Sequence, residues 1–559
     1  MNTPSSIAFR LAVILWCLTV VVAGILLIIE ITQTVITTPI PFDIDESNHA
    51  IDGWEVYYAL ANGSIAGLYR AIVNQAFYPP LYSFFVATSY FIAGPGLFAS
   101  RLPTVMNYAL MVIGLSGLTY YLARRSPNPA MDPGMGGNGT EKTSVYLALV
   151  GAAFVGALAI TSPTMIRNAV LCMLEITGAL FLIPLIFFAE RADAHSGRTR
   201  WIFILLAAVT VTLAFLTKYT FGLFFGLGLV AALVSSTWPW RVGRHAWREA
   251  LSVSGIYLLV AVLWILITDR ESLALFFIGH PSYVPFWSLD NFLFYPMIWL
   301  NEYFVSLFFG VFALTLAAVE AVLHWERLYV RVAVWSTLAA LVILTISTTN
   351  EPRHILVVTP AIWLLAGLRL VEIFKALLSQ PSWGPKASLA LLLLPILFID
   401  TSMPHVGRLR REMEISMEGE PFYSALQTVA LQEADLDHPV LVVGDTRDQF
   451  NLLALRWRAA VDNRVTAWEY DIDQYPFTTY DWILSRHNRK PQIKELEPDF
   501  PDESLDAILE QGYYGTVITV RNKTKKVSSL GQDTPLELKP YPSVIHKFPG
   551  WEIGVYDLR

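Results

Sequence analysis

Apolar residues along this chain gather into long runs separated by short polar breaks, and the charges in those breaks alternate. The first run, Leu11 to Ile29, follows Arg10, is long enough to cross a bilayer and lacks a small-x-small cleavage site. It is read as an uncleaved first helix with its N-terminus in the cytoplasm. Basic breaks occur at Arg124-Arg125, Arg191 to Arg200, Arg241 to Arg248, Arg327 to Arg331 and Lys375 to Lys386. Lys and Arg accumulate in cytoplasmic loops, so these five breaks face the cytoplasm. The intervening breaks then face outward: the Asp43 loop, Ser162 to Asn168, Thr217 to Thr220, Asp269 to Tyr303 and Thr349 to His354.

The alternation falters once. Between the first outer loop and Arg124 lie two apolar runs, Leu81 to Ala93 and Leu102 to Leu122, where the charge rule needs an odd number of crossings. The first is short for a span, and a tilted, a re-entrant and a split segment all remain open. The expectation is an odd total of roughly 11 to 13 helices.

Past residue 400 the pattern changes. About half of all charged side chains fall there, and no apolar run is long enough to cross. Short β-like runs recur at Val440 to Val443, Trp482 to Leu484, Thr516 to Val520 and Trp551 to Tyr556, with helical patterns at Pro421 to Ala434 and Arg447 to Ala459. The division is a transmembrane domain over 1–400 and an α/β domain over 401–559, placed outside by the count of crossings. Val443-Gly444-Asp445 resembles the edge of a nucleotide site, but a lone Gly-Asp at a strand end also suits an ordinary turn.

Composition agrees. Of 559 residues, 54% are hydrophobic and 15% charged, and the mean hydropathy of +0.48 suits a polytopic α-helical membrane protein. A net charge of −7 and the lack of a basic patch with interleaved aromatics argue against nucleic acid as a partner. Cys17 and Cys172 both sit in apolar runs, as small core residues rather than a disulfide or thiolate metal site. The run Gly134 to Gly139 lacks the Lys-Ser/Thr and preceding strand of a phosphate loop and reads as a cytoplasmic linker. No HExxH, GxSxG or solenoid repeat occurs.

Candidate chemistry lies at the outward breaks. Pro41 to His49 carries Asp43, Asp45, Glu46 and His49 at a bilayer surface, where carboxylates are costly to desolvate without water, a cation or a substrate. A solvated acidic loop is the alternative. Arg167 and Glu175 flank the second outer break, eight positions apart on broadly one face if the segment is helical. They make either a structural pair or a functional one. Lys218 interrupts an apolar stretch, and Arg353-His354 opens a late helix after Asn350-Glu351-Pro352. Each cation alone could snorkel to headgroups or bind a phosphate. The aromatics of Asp269 to Tyr303, among them Phe276, Tyr283, Trp287 and Trp299, suit either an interfacial lid or an ordinary aromatic belt.

Taken in order, these residues resemble the GT-C fold glycosyltransferases, in particular the group of protein O-mannosyltransferases and the lipid A aminoarabinose transferase. The resemblance runs over roughly residues 8–400. It rests on Asp45-Glu46 after the first helix, Tyr78-Pro79-Pro80-Leu81-Tyr82, Arg101-Leu102-Pro103-Thr104, Arg167 with Glu175 downstream, Leu216-Thr217-Lys218-Tyr219-Thr220 and Glu351-Pro352-Arg353-His354.

The resemblance implies a plasma-membrane enzyme that moves a sugar from a polyprenyl-phosphate donor to a glycan, lipid or protein acceptor at the outer face. It implies catalytic roles for Asp45 and Glu46, with Asp45 the general base of an inverting transfer. Lys218, Arg353, His354, Arg167 and Tyr78 form the implied substrate and phosphate set, and Glu175 with Asp45 the implied ligands of a divalent cation, Mg or Mn. Tyr78 marks a departure: several relatives carry His or Glu-Lys before the first proline, so a metal ligand or phosphate contact is missing here, for which His49 or His280 could substitute. A transporter or flippase of a lipid-linked glycan is the rival reading. It calls for acids in mid-helix and two-fold hydropathy symmetry, and this chain has neither. A membrane-anchored binding protein would leave most of the helices without a purpose.

Overall fold

The computed structural model describes residues 4–37, 44–75, 78–125, 138–235, 244–268, 287–304, 306–347 and 350–379, positions 386, 389 and 391, and five strands beyond 440. The linker positions 134–137, the aromatics of 269–286, His280, Asp43 and the expected elements at 421–434, 447–459 and 482–484 lie outside the described residues, while Asn138 and Gly139 open a helix.

Helix α1 (Pro4–Thr37) is apolar nearly all round and largely unburied, with Leu11, Leu18 and Ile25 pointing away from the protein, as a lipid-facing helix does. Two shorter helices follow: α2 (Ile44–Ala61), with Asp45 and Glu46 in its first turn, and α3 (Ile65–Val73), capped by Ser64. Next come α4 (Leu81–Ala93) and α5 (Leu97–Arg125), which ends on its basic pair. Helix α4 has 13 residues, about 20 Å of helix, and falls short of a hydrocarbon core of about 30 Å. Helices α6 (Asn138–Thr161), α7 (Pro163–Ala169), α8 (Glu175–Asp193), α9 (Gly197–Thr217), α10 (Tyr219–Val234) and α11 (Arg244–Ile267) follow. A bent pair comes next: α12 (Leu289–Ile298), prolonged by a π turn over Trp299–Tyr303, meets α13 (Leu307–Leu323) at 117°. Helix α14 (Leu328–Ser347) precedes a 3-10 turn (Pro352–Val358) that runs into α15 (Thr359–Ser379).

Among the described residues, seven helical segments are long and apolar enough to cross a membrane, or eight if the bent pair is one span. The most enclosed is Pro352–Leu378, 89% of whose most apolar window is buried. Helices approach it closely where side chains are smallest. Gly151 of α6 faces Gly367 of α15, and a Cβ on either would come within 3.2 Å of the other's carbonyl oxygen. Packing without side chains is how membrane helices gain dispersion contacts when lipid competes for apolar surface. Polar ties join the helices elsewhere: Asn107 Nδ2 donates to Thr177 Oγ1 at 2.7 Å, and Tyr108 Oη to the Ala159 carbonyl at 3.1 Å.

Beyond residue 400, strands β1 (Val440–Gly444), β2 (Phe477–Thr479), β3 (Thr516–Asn522), β4 (Val544–Phe548) and β5 (Trp551–Asp557) form one sheet in the order β2-β1-β3-β5-β4. Strand β1 is parallel to β2 and β3, while β5 runs antiparallel to β3 and β4. Three of the four strand runs expected from sequence appear here as β1, β3 and β5.

Candidate active site

Asp45 and Glu46 are neighbours in the first turn of α2, where the free amides and helix dipole favour negative charge. One residue of helix rotates the side chain by about 100° and sends the two acids to different partners. Glu46 goes inward. Its carboxylate takes Arg101 Nε at 3.0 Å and Nη2 at 3.1 Å, and its Oε1 accepts the Cys172 amide at 2.7 Å. Both partners of this ion pair are 1% exposed. The expectation that Glu46 is catalytic meets a carboxylate committed to clamping α2 and α5 to the 170–174 turn.

Asp45 stays partly open and is bound by Arg353 Nη2. Arg353 stands in the 3-10 turn before α15, donates from Nε to Glu351 Oε2 at 2.7 Å and lies 3.4 Å from Met173 Sδ through Nη1. The turn is entered through Asn350 at φ 43, a left-handed conformation that asparagine tolerates better than most residues. His354 is half-buried beside it. Its Nε2 is 3.5 Å from Glu351 Oε2, and among the described residues its Nδ1 has no hydrogen-bond partner.

A second ion pair lies deeper. Lys218 is the single extended residue between α9 and α10, at φ −154 and ψ 135. That one-residue break points its side chain across to Glu175, the first residue of α8, with Nζ 3.0 Å from Oε1. Both side chains are buried, and among the described residues Glu175 Oε2 has no hydrogen-bond partner. Lys218 Nζ also sits 5.5 Å from the Tyr78 ring centroid and 5.6 Å from that of Phe221, on aromatic faces that favour a cation. His49 packs against the Tyr78 ring at 4.7 Å and the Tyr82 ring at 5.3 Å. Its burial pushes the imidazole down to about 4, so it is neutral at physiological pH. The Tyr78 hydroxyl is pushed well above its usual range, by burial first and then by Asp45 and Glu175.

Two arrangements differ from expectation. Arg167 and Glu175 do not share a helix face, because the chain leaves helix between α7 and α8. Arg167 ends exposed, with Glu302 as an electrostatic neighbour, while Glu175 turns to Lys218. The acids expected to hold a divalent cation, Asp45 and Glu175, are each salt-bridged to a basic side chain. Among the described residues no group of three or more His, Cys, Asp or Glu side chains is arranged to hold a metal ion. Asp45 and Glu175 therefore do not form a ready-made ligand set among those residues. The basic side chains Lys218 and Arg353 fit an anion instead.

Sequence reasoning missed Glu351 and Met173 as partners of Arg353. Glu351 was adjacent in the quoted motif, whereas nothing in the sequence marked Met173. It also missed the Arg101–Glu46 clamp, although both residues stood in quoted motifs, because nothing local paired them.

No family profile and no curated protein matches the sequence. Solved structures do. The crystal structure of ArnT from Cupriavidus metallidurans in the apo state superposes with a TM-score of 0.54 at 16% identity, over 89% of this chain and 92% of that one. The same protein bound to undecaprenyl phosphate gives 0.51 at 16% identity, over 90% and 93%. The archaeal oligosaccharyltransferase AglB from Archaeoglobus fulgidus, in complex with an inhibitory peptide and a dolichol-phosphate, gives 0.51 at 11% identity, over 90% of this chain and 69% of that one. The chain has the GT-C fold. That fold joins the α2 start, the 170–174 turn, the α9–α10 break and the turn before α15 at one end of the helical bundle.

Proposed function

We propose that this protein is a membrane glycosyltransferase that moves a sugar from a polyprenyl-phosphate donor to an acceptor hydroxyl at the outer face. The observation that carries the reading is the pairing of Asp45 with Arg353 beside the Lys218–Glu175 pair, in a fold shared with a protein that binds undecaprenyl phosphate.

The donor phosphate is a diester with one negative charge spread over two free oxygens, and an arginine fork suits them. On arrival it competes with Asp45 for Arg353, and Lys218 supplies a second positive charge from below. The exchange frees the Asp45 carboxylate beside the sugar it must serve. The acceptor hydroxyl then attacks the anomeric carbon, its proton passes to Asp45, and the bond from that carbon to the phosphate oxygen breaks. The electron pair goes to the phosphate, where Arg353 and Lys218 offset the growing charge in a partly dehydrated site. Attack opposite the leaving group inverts the anomeric centre. Glu46 holds the start of α2 in position through Arg101, His354 and Tyr78 line the phosphate pocket, and Arg167 lies outside it.

The same reading assigns residues 1–400 to an enzyme of 11 to 13 membrane helices with the Asp45 end facing out. It assigns residues 401–559 to an extracytoplasmic α/β domain that meets the acceptor. Mass spectrometry of envelope lipids and glycans, in cells with and without the protein, tests it. A glycosylated product should disappear and its carrier-linked donor accumulate; an unchanged set overturns the proposal.

A further inference from the structure

At the opposite end of the bundle from Asp45, five elements enclose a cavity of about 340 Å³. Helix α8 alone separates the two ends by 19 residues, about 27 Å, from Glu175 to Asp193. The charged lining comprises Arg125, Glu190, Asp193, Glu320, Arg327 and Glu372, with His324 beside them.

Most of these charges are already engaged. Arg125 is held by Glu190 at 3.0 Å, Asp193 Oδ2 accepts the Leu328 amide at 2.9 Å, and Arg327 lies 3.7 Å from Glu326. Glu372 lies 3.5 Å from Lys375. Glu320 is the exception. It projects from the last turn of α13 and is only 3% exposed. Its Oε1 lies 3.8 Å from His324 Nε2, and among the described residues its Oε2 has no hydrogen-bond partner. A buried carboxylate without a full partner is costly, and this one borders an open volume large enough for a small ligand. Within the lining four carboxylates face two guanidiniums, with His324 and Arg369 the basic side chains nearest in charge to Glu320, so the lining favours a cation. Among the described residues no group of three or more His, Cys, Asp or Glu side chains is arranged around a metal position, so the lining offers Glu320 no ready-made metal cage. An ammonium group needs only one or two acceptors.

We propose that this cavity is a second binding site, for a primary ammonium group that donates to Glu320. Two sources share that chemistry, the headgroup of an aminophospholipid and a soluble polyamine. The site is independent of the sugar-transfer reading, because it uses none of the same residues.

The test is thermal unfolding of the purified full-length protein with short-chain phosphatidylethanolamine, with putrescine, and with two controls. Phosphatidylcholine carries an ammonium without N–H donors, and sodium chloride matches the ionic strength. The expected result is a dose-dependent rise in the unfolding midpoint with one or both primary amines and not with the controls. A response to the lipid alone assigns a headgroup, and a response to putrescine assigns a soluble ligand. In Glu320→Gln the rise should vanish. No shift in the wild type, or an equal shift in Glu320→Gln, overturns the proposal. If that variant does not fold, N,N′-diacetylputrescine, which keeps the carbon chain and lacks the ammonium groups, replaces it. It should give no shift in the wild type, and a shift equal to that with putrescine overturns the site.

Discussion

Arg353 and Asp45 lie 308 positions apart in sequence and meet in a salt bridge that is still partly open, with side chains 22% and 26% exposed. Lys218 and Glu175, in the same region, are 7% and 2% exposed. A pair open to solvent can exchange partners with an arriving anion, whereas a buried pair is held in place. The outer pair therefore suits chemistry, and the inner pair fixes the charge behind it.

Removing half of the inner pair leaves an uncompensated charge in the protein interior. Lys218→Ala should destabilise by about 3–5 kcal/mol, and adding Glu175→Gln should recover a large part of that loss. Thermal unfolding of the single and double variants measures both. A single variant as stable as the wild type would show that Glu175 finds another partner.

Glu46→Gln should act on the fold rather than on turnover. It weakens a bidentate pair with Arg101 and a charge-assisted bond from the Cys172 amide, so a drop of about 3–5 kcal/mol is expected. The protein that does fold should keep most of its specific activity. Stable protein with abolished transfer would return Glu46 to the reacting groups.

His49 predicts an acid limb of stability. Its folded value of about 4 lies below the ordinary 6.5, chiefly through burial, so the native state binds this proton less readily than the unfolded chain. Its contribution is fully present above about pH 6.5 and lost as pH falls towards 4, amounting to roughly 3 kcal/mol. His49→Gln should flatten that part of a midpoint-versus-pH curve. An unchanged slope would mean the imidazole is protonated when buried.

Gly228 of α10 meets α14 backbone to backbone, where a Cβ would come within 2.2 Å of Ser336 Oγ and 2.6 Å of Ser336 Cα. Gly228→Ala should cost about 1–3 kcal/mol. Among the described residues Gly117 of α5 has nothing within 4 Å of its Cβ position, so Gly117→Ala should be neutral or stabilising. Equal midpoints for the two variants would contradict this packing.

Much of the fold was legible because apolar runs and basic breaks follow from bilayer thickness and charge. The meeting of Asp45 with Arg353 was legible only as a shared placement at outward breaks; nothing local specified the contact. Lys218 was marked as a charge in an apolar run, but the one-residue break that aims it was not, since Thr217 and Tyr219 are ordinary helix residues. The link from Arg167 to Glu175 failed because eight positions of assumed helix include a turn at 170–174, and Val170-Leu171-Cys172-Met173 carries no glycine or proline to announce it. Glu46 and Asp45 looked alike because adjacent acids differ only in the face they take, and a short helix at a membrane surface shows no period that fixes its face.

The most direct test of the central claim is a paired measurement of carrier binding and sugar transfer by reconstituted wild type and Asp45→Asn. With Arg353 released and a negative charge removed, the variant should bind polyprenyl phosphate at least as tightly as the wild type while transfer falls by about 10²–10⁴-fold. Transfer near the wild-type rate, or loss of carrier binding along with turnover, would contradict the assignment of Asp45 as the base beside a phosphate held by Arg353.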